Sequence, residues 1–291
     1  MKTQRCDGGR ILVRLAVILL SLAACTGALA QKKAEASRVL IAVNEGGAAN
    51  ADATETVLRF EDFGQIVSKA IGAPVTIVAV RDRKVLREAL RRHAYGFLFA
   101  RPNDVPAEAI RDWGYQAVVN AKEPSRALFI VKSDSPLKSI KELKGKSIVT
   151  PDQYSNIWRV ANAMLRDNNI DMGSEKVRAM RDQAAIGWSM EGGFFDVGVV
   201  NSVSGVGRTW EMKGGRVLAK SVDLPNMPLI ASPDISAAQI LKIRAALINI
   251  ESTDAGQAML KKIGLTGFRE SNAQEFLDFL KWLGDLKPDQ Q

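Results

Sequence analysis

Apolar positions along this chain fall into short runs of strand length, separated by segments in which they recur at helical spacing. Arg38–Val43 (RVLIAV), Val75–Val80 (VTIVAV) and Tyr95–Pro102 (YGFLFARP) are strand-type runs. Between them, Val57, Phe60, Phe63 or Gly64, and Val67 form a helical stripe over Val57–Ala70, ended by Gly72-Ala73-Pro74. Val85, Leu86, Ala89 and Leu90 form a second stripe over Lys84–Arg92. The alternation of strand and helix predicts parallel strands joined by right-handed crossovers. Ala117–Asn120 and Ala127–Val131 are further strands, and the polar Lys122–Arg126 between them is a candidate crossover between two lobes.

Lys132–Met164 compresses the pattern into one unit. Ser139 with Glu142 reads as a capping box on a short helix, Gly145 as its stop, and Ser147–Thr150 as a buried strand. The polar loop Pro151–Asn156 then precedes another helix. In open α/β sheets small ligands bind there, outside the carboxyl ends of strands and against helix N-termini. The same logic marks Arg181-Asp182-Gln183 after the strand Val177–Met180, ahead of the helix Ala184–Met190. It also marks Asn201-Ser202 after Phe195–Val200. Val217–Ala219 and Asp223–Leu229 lead back, with Pro225 and Pro228 favouring an extended second crossover. The C-terminal third reads as three helices: one capped by Ser236-x-x-Gln239, one over Thr253–Ile263 stopped by Gly264, and one capped by Ser271-x-x-Gln274. The third carries Phe276, Phe279, Leu280 and Leu283.

Composition narrows the class. With 291 residues, 46% apolar and 25% charged, the chain is of ordinary globular make-up. It is long enough for two domains of about 100–200 residues. Of the net charge of +8, Met1–Ala30 supplies +3, and the remaining basic residues are interspersed with acids. No basic run interleaved with aromatics points to nucleic acid. Arg10 and Arg14 precede the ten-residue apolar run Leu15–Ala24, too short to span a bilayer, so 1–30 reads as an export signal. Two cleavage schemes fit: Ala28-Leu29-Ala30 before Gln31, or a lipobox ending at Cys25, which would make 1–24 a lipoprotein signal and Cys25 the lipidated N-terminus. Either predicts a periplasmic protein, soluble or lipid-anchored. Cys6 and Cys25 are the only cysteines, so the folded part is expected to hold neither disulfide nor thiol chemistry.

His93 is the only histidine and ends a helix, so His-based triads and zinc sites lack their parts. Tyr95, Tyr115 and Tyr154 are widely spaced, and no P-loop or dinucleotide fingerprint occurs. The expectation is a binding protein and not an enzyme, with no cofactor and no metal. The candidate ligand contacts are Asn44 and Glu45 after the first strand, and Phe99 and Arg101 at the end of the third. To these are added Thr150, Asp152, Tyr154, Ser155 and Asn156, then Arg181, Asp182 and Gln183, and finally Asn201 and Ser202. Arg101 is the candidate anion clamp, because a guanidinium offers paired donors in a fork that matches an oxyanion.

Four segments carry a resemblance: SDSPLKSIKELKGKSIVTPD, FFDVGVVNS, LPNMPLIASPDISAAQILKIRAAL and AGQAMLKKIGLTGF. In this order they resemble the periplasmic phosphonate/phosphate/phosphite-type solute-binding proteins of ABC importers, over roughly Arg38–Gly284. The resemblance implies a two-lobed type II periplasmic-binding-protein fold, each lobe a mixed α/β sheet flanked by helices, with two crossover strands. Lobe 1 is then expected from 38–124 plus 225–291 and lobe 2 from 125–224. It also implies a small solute in the interlobe cleft, an ABC permease of the inner membrane as partner, and a monomer. The same fold can serve as a ligand-sensing module for a membrane signalling protein or, less simply, as an enzyme. Where the family has a Ser/Thr-rich loop, this chain has Pro151-Asp152-Gln153-Tyr154-Ser155-Asn156, and the family's histidine is absent from Met180–Ala184. The expected solute is therefore anionic or zwitterionic, phosphonate-like or a related oxyanion.

Overall fold

The computed structural model describes residues 38–46, 52–101, 103–153 and 155–284. The expected export segment with Cys25, residues 47–51 of the glycine-containing loop, Pro102 and Tyr154 lie outside the described residues. In chain order the elements are β1 (Val39–Asn44), α1 (Ala53–Ile71), β2 (Val75–Ala79), α2 (Arg83–Arg91), β3 (Phe97–Ala100), α3 (Asp104–Asp112) and β4 (Gln116–Ala121). Then come β5 (Ala127–Val131), β6 (Ser147–Pro151), α4 (Asn156–Arg166), β7 (Lys176–Met180), α5 (Gln183–Glu191), β8 (Val197–Asn201), α6 (Gly205–Thr209) and β9 (Arg216–Lys220). The chain closes with β10 (Leu229–Ala231), α7 (Ala237–Ile248), α8 (Asp254–Ile263), β11 (Phe268–Glu270) and α9 (Ala273–Leu283).

These strands form two mixed sheets. The first has six strands in the order β11-β4-β10-β3-β1-β2, and the second has five in the order β7-β6-β8-β5-β9. The expected parallel pairings are present: β1 with β2 and β3, and β6 with β7 and β8. Period-two alternation assigns the faces. Ile41, Val43, Phe97 and Phe99 point into a core with α1, α7 and α8, whereas Ala42, Leu98 and Ala100 meet α2 and α3 on the other side. In the second sheet Phe129, Val131 and Val199 face α4, while Leu128, Ile130 and Val200 face α5 and Trp210.

Helix α9 follows neither neighbour in sequence. Helices α7, α8 and β11 lie in the first core, but Phe276, Phe279, Leu280 and Leu283 of α9 lie in the second, and α9 also packs along α3. The helix therefore straps the two sheets together.

Two connections join the sheets, β4 to β5 and β9 to β10, and they run side by side. Ser125 and Leu224 form an antiparallel bridge, with N–H to carbonyl distances of 3.2 and 2.8 Å. Ala121 N–H donates to the Asn226 carbonyl at 2.8 Å, and Asn226 Nδ2 donates to that of Glu123 at 2.9 Å. Met227, fully buried in the second connection, holds a left-handed φ of 41°. Such a backbone is uncommon outside glycine and asparagine, and costs about 1–2 kcal/mol.

Several local expectations are corrected. The Ser139 turn is a short 3-10 segment, Ile140–Leu143, whose N-cap side chain makes no capping bond; Glu142 instead accepts from Lys138 N–H and Ser139 Oγ. Gly145 does hold the left-handed conformation of a stop, φ 77°. The capping box of α9 is Asn272 with Glu275, one residue later than Ser271 with Gln274, because asparagine takes the extended cap backbone. That of α7 is Ser236 with Gln239, as the sequence indicates. Val85 is exposed instead of facing inward. Helices α3 and α6 and strand β11 have no counterpart in the sequence pattern.

Candidate functional site

Strands β1 and β3 of the first sheet, and β6 and β8 of the second, carry at their carboxyl ends most of the residues marked in the sequence. Helices α3 and α4 start from two of these ends, and their first turns meet. Asp104, the first residue of α3, accepts from Arg159 Nη1 of α4 at 2.8 Å and from Arg83 Nη2 at 2.5 Å. Asp104 is 0% exposed and the Arg159 side chain 7%. Burial acts to raise the Asp104 pKa, but Arg83 and Arg159 more than offset it and hold the carboxyl down at about 2. Glu108, one turn on, is pushed up by burial and by the charge of Asp104. The sequence pattern gives no sign of this ion-pair seam, since its two sides come together only in the fold.

Arg101 follows β3, and its N–H donates to the Asn44 carbonyl at 2.8 Å. Its side chain is half-buried. Among the described residues its guanidinium has no hydrogen bond and no ion pair. Burial lowers its pKa; Glu45 opposes that, and the positive charges of Arg208 and Arg59 add to the lowering. Glu45 is itself engaged by Arg59. Arg208 belongs to α6, beyond the carboxyl end of β8, so groups from both sheets act on Arg101. Helix α6 is seated tightly: a Cβ on Gly207 would come within 2.2 Å of the Asn201 carbonyl oxygen and 2.9 Å of Ser202 Cα. Gly207→Ala is therefore expected to displace α6 and cost about 1–3 kcal/mol by overpacking, read as a lowered melting temperature.

The other marked residues divide by whether their polar atoms are already used. Asn44 Nδ2 donates to the Val80 carbonyl at 2.7 Å while its Oδ1 accepts from Gly46 N–H at 2.8 Å. Asn201 Oδ1 accepts from Ser125 Oγ at 2.9 Å, Ser202 Oγ accepts from Arg126 N–H at 2.9 Å, and Gln183 Oε1 accepts from Asn201 N–H at 2.7 Å. Ser155 caps α4 through Trp158 N–H, and Asp182 caps α5 through Ala184 N–H. Asp152 is half-buried, and its carbonyl accepts from Ser155 N–H at 2.8 Å. Arg181 is exposed. Phe99 is corrected outright: strand alternation turns it into the core, where its ring stacks on Phe63 at 4.7 Å.

Unused, buried polar atoms remain at Thr150 (Oγ1) and Asn156 (Oδ1), which flank the 151–155 loop. Asn103, just before α3, and Asn226, in the second connection, have the same unsatisfied Oδ1. Buried polar groups are ordinarily satisfied, so each such atom calls for a partner. Asn103 and Asn226 carry no sequence signal because neither belongs to a recognisable motif. A separate cavity of about 320 Å³ is lined by Met164, Asn168, Lys220 and Trp282 and by none of these residues.

Two mixed sheets joined by two paired connections, with polar residues gathered at facing strand ends, define a two-lobed type II periplasmic binding protein. The family model for the periplasmic substrate-binding protein of phosphonate ABC transporters matches residues 46–276, and the chain belongs to that family. Its members are the extracytoplasmic substrate-binding components of ABC transporters. They bind a small-molecule solute and work with a membrane permease, and they are not enzymes. No curated protein matches the sequence. Among solved structures, the XAC2383 protein of Xanthomonas citri bound to ATP is similar at TM-score 0.68 and 13% identity, covering 85% of this chain and 97% of that one. PhnD1 of Prochlorococcus marinus in complex with methylphosphonate is similar at TM-score 0.64 and 12% identity, covering 84% and 97%. The periplasmic aliphatic sulphonate binding protein SsuA of Escherichia coli reaches TM-score 0.55 at 15% identity, covering 84% and 79%. These three likenesses concern the fold. No helix among the described residues is long and apolar enough to cross a membrane.

Proposed function

We propose that the chain binds a small oxyanion, phosphonate- or phosphate-like, between its two sheets and delivers it to an inner-membrane permease. The observation that carries this reading is Arg101: a half-buried guanidinium at a strand's carboxyl end, with no ion pair or hydrogen bond of its own among the described residues, the nearby Glu45 being engaged by Arg59. Burying an unpaired charge is costly, and an anionic ligand would supply the missing partner. Thr150 is the next contact, its unused hydroxyl able to donate to an anion oxygen, whereas the unused Oδ1 of Asn156 is an acceptor and suits a protonated oxygen of the ligand. Asp152 and Arg181 are assigned to the rim, where they help select the substituent. The ligands named for two structural neighbours, methylphosphonate and ATP, share the oxyanion chemistry.

On this reading the lobes are 38–124 with most of 225–291, and 125–224, hinged at the two connections, with α9 as a strap. The protein works as a monomer in the periplasm, and its leader is cut after Ala30, with lipidation at Cys25 as the alternative that the intact mass would reveal. A thermal-shift panel of phosphate, methylphosphonate, sulfate, acetate and free amino acids tests the ligand class. An oxyanion at about 100 times its Kd adds ~2.7 kcal/mol, a rise of several degrees for a chain of this size. A rise with neutral or cationic amino acids alone would contradict the proposal.

A further inference from the structure

Arg208 stands out beyond the residues so far assigned. It lies on α6, which leaves the carboxyl end of β8 in the second sheet, yet its Nη2 reaches Glu123 Oε2 of the first connection at 3.3 Å. That contact brings it to the first connection, and its charge acts on Arg101 at the end of β3. The pairing with Glu123 is a surface one, both side chains being about half exposed (53% and 51%). An exposed ion pair contributes little, so little is lost when it is given up. The positive charge of Arg208, carried by a helix of the second sheet, acts unfavourably on that of Arg101, carried by the first.

We propose that Arg208 is the closing half of a two-arginine clamp: it leaves Glu123, binds the anion held by Arg101, and draws the second lobe over it. This rests on the oxyanion reading above and sharpens it. A ligand held by two guanidiniums from opposite lobes is best matched by a doubly charged head with at least three oxygens, such as a phosphonate or phosphate dianion. A monocarboxylate has too few oxygens to satisfy both forks. Glu123 then acts as the parking partner of the open form. Closure is a hinge motion at the paired connections, driven by the differential contact that Arg208 makes in the closed state only.

The test is calorimetric titration of the exported chain with methylphosphonate, inorganic phosphate and acetate, using the wild type and Arg208→Ala, Arg208→Lys, Arg101→Ala and Glu123→Gln. Arg208→Ala is expected to weaken dianion binding about 10-fold to 100-fold while leaving the melting temperature of the free protein unchanged. Arg208→Lys should recover only part of the loss, because an ammonium cannot make the bidentate contact. Glu123→Gln should tighten binding several-fold by releasing Arg208. Solution scattering should show the wild type contracting with methylphosphonate, and Arg208→Ala failing to contract at saturation. If Arg101→Ala loses binding while Arg208→Ala binds and contracts like the wild type, the clamp is overturned and the oxyanion reading stands. If the wild type binds neither dianion, both fall. Arg208→Gln, which keeps most of the side-chain stem, takes the place of the alanine variant should that one fold poorly, with the same expected loss of binding and contraction.

Discussion

Arg101→Ala is expected to weaken oxyanion binding by about 100-fold or more, as measured by titration calorimetry with methylphosphonate. Truncating one partner of a desolvated, hydrogen-bonded charge pair typically costs about 2–5 kcal/mol of binding, much of it from leaving the other charge buried and unpaired. Arg101 meets that condition from the protein side, being half-buried, with no ion pair of its own among the described residues and with Glu45 already engaged by Arg59. Arg101→Lys should recover only part of the affinity, since a point charge cannot reproduce the fork. The stability of the free protein should move the other way. Removing a charge that Arg59 and Arg208 repel and that burial disfavours should leave the unliganded melting temperature equal or higher. A binding loss combined with unchanged or increased stability marks a functional residue, since sites that hold strain for a ligand release it when truncated.

Asp104→Ala should produce the largest loss of stability. It would remove the only carboxylate bonded to Arg159 among the described residues, and that side chain is 7% exposed. It would also strip Arg83 of its partner. Breaking a buried pair from one side costs about 3–5 kcal/mol, a drop in melting temperature on the order of 10 °C for a chain of this size. Replacing both partners, as in Asp104→Leu with Arg159→Met, should regain most of the loss, because no charge is then left stranded at 0% exposure. Arg83 remains partly exposed and can reach water. Acid should act on the same pair. The folded-state pKa of Asp104 lies below its ordinary value of 3.8, at about 2. Its stabilising contribution is therefore complete above pH 3.8 and is lost as pH falls from there through about 2. Thermal melts between about pH 5 and pH 2 should show an acid-dependent fall that is smaller in Asp104→Asn.

The strands are legible in the sequence because they read as continuous apolar runs, with β5 and β8 buried on both faces and β1 nearly so. Even the half-buried edge strand β2 keeps such a run, and all four lie within a residue or two of where the pattern puts them. Helix α3 is not, because it has no apolar stripe to see. Asp104 to Ala109 are all buried, Asp104 and Glu108 among them, since the helix is enclosed between the two sheets' helices. Its amphipathic period is erased by tertiary contact, and Pro106 in its first turn disguises it further. The site is legible as positions more than as chemistry. At the end of β6, Thr150 and Asn156 keep unused buried oxygens, and Arg101 at the end of β3 makes no side-chain bond among the described residues. Asn44 sits at an equally plausible strand end but spends both side-chain polar atoms on the frame, and Gln183, Asn201 and Ser202 commit their side-chain oxygens to it as acceptors. Sequence alone carries no record of which hydrogen bonds the fold consumes. The Asp104–Arg159 pair and the approach of Arg208 to the hinge are out of its reach because topology, not local pattern, brings them together.

Recognition of a charged oxyanion head by Arg101 between the lobes underlies every functional prediction made for this protein, and a paired titration of the wild type probes it without any substitution. Methylphosphonate and its neutral dimethyl ester share a methyl–phosphorus core and differ in the negative charge that the guanidinium would recognise. Methylphosphonate is expected to bind with a measurable heat, and the ester is expected not to bind at matched concentrations. Equal binding of the two, or binding of the ester alone, would refute recognition by charge.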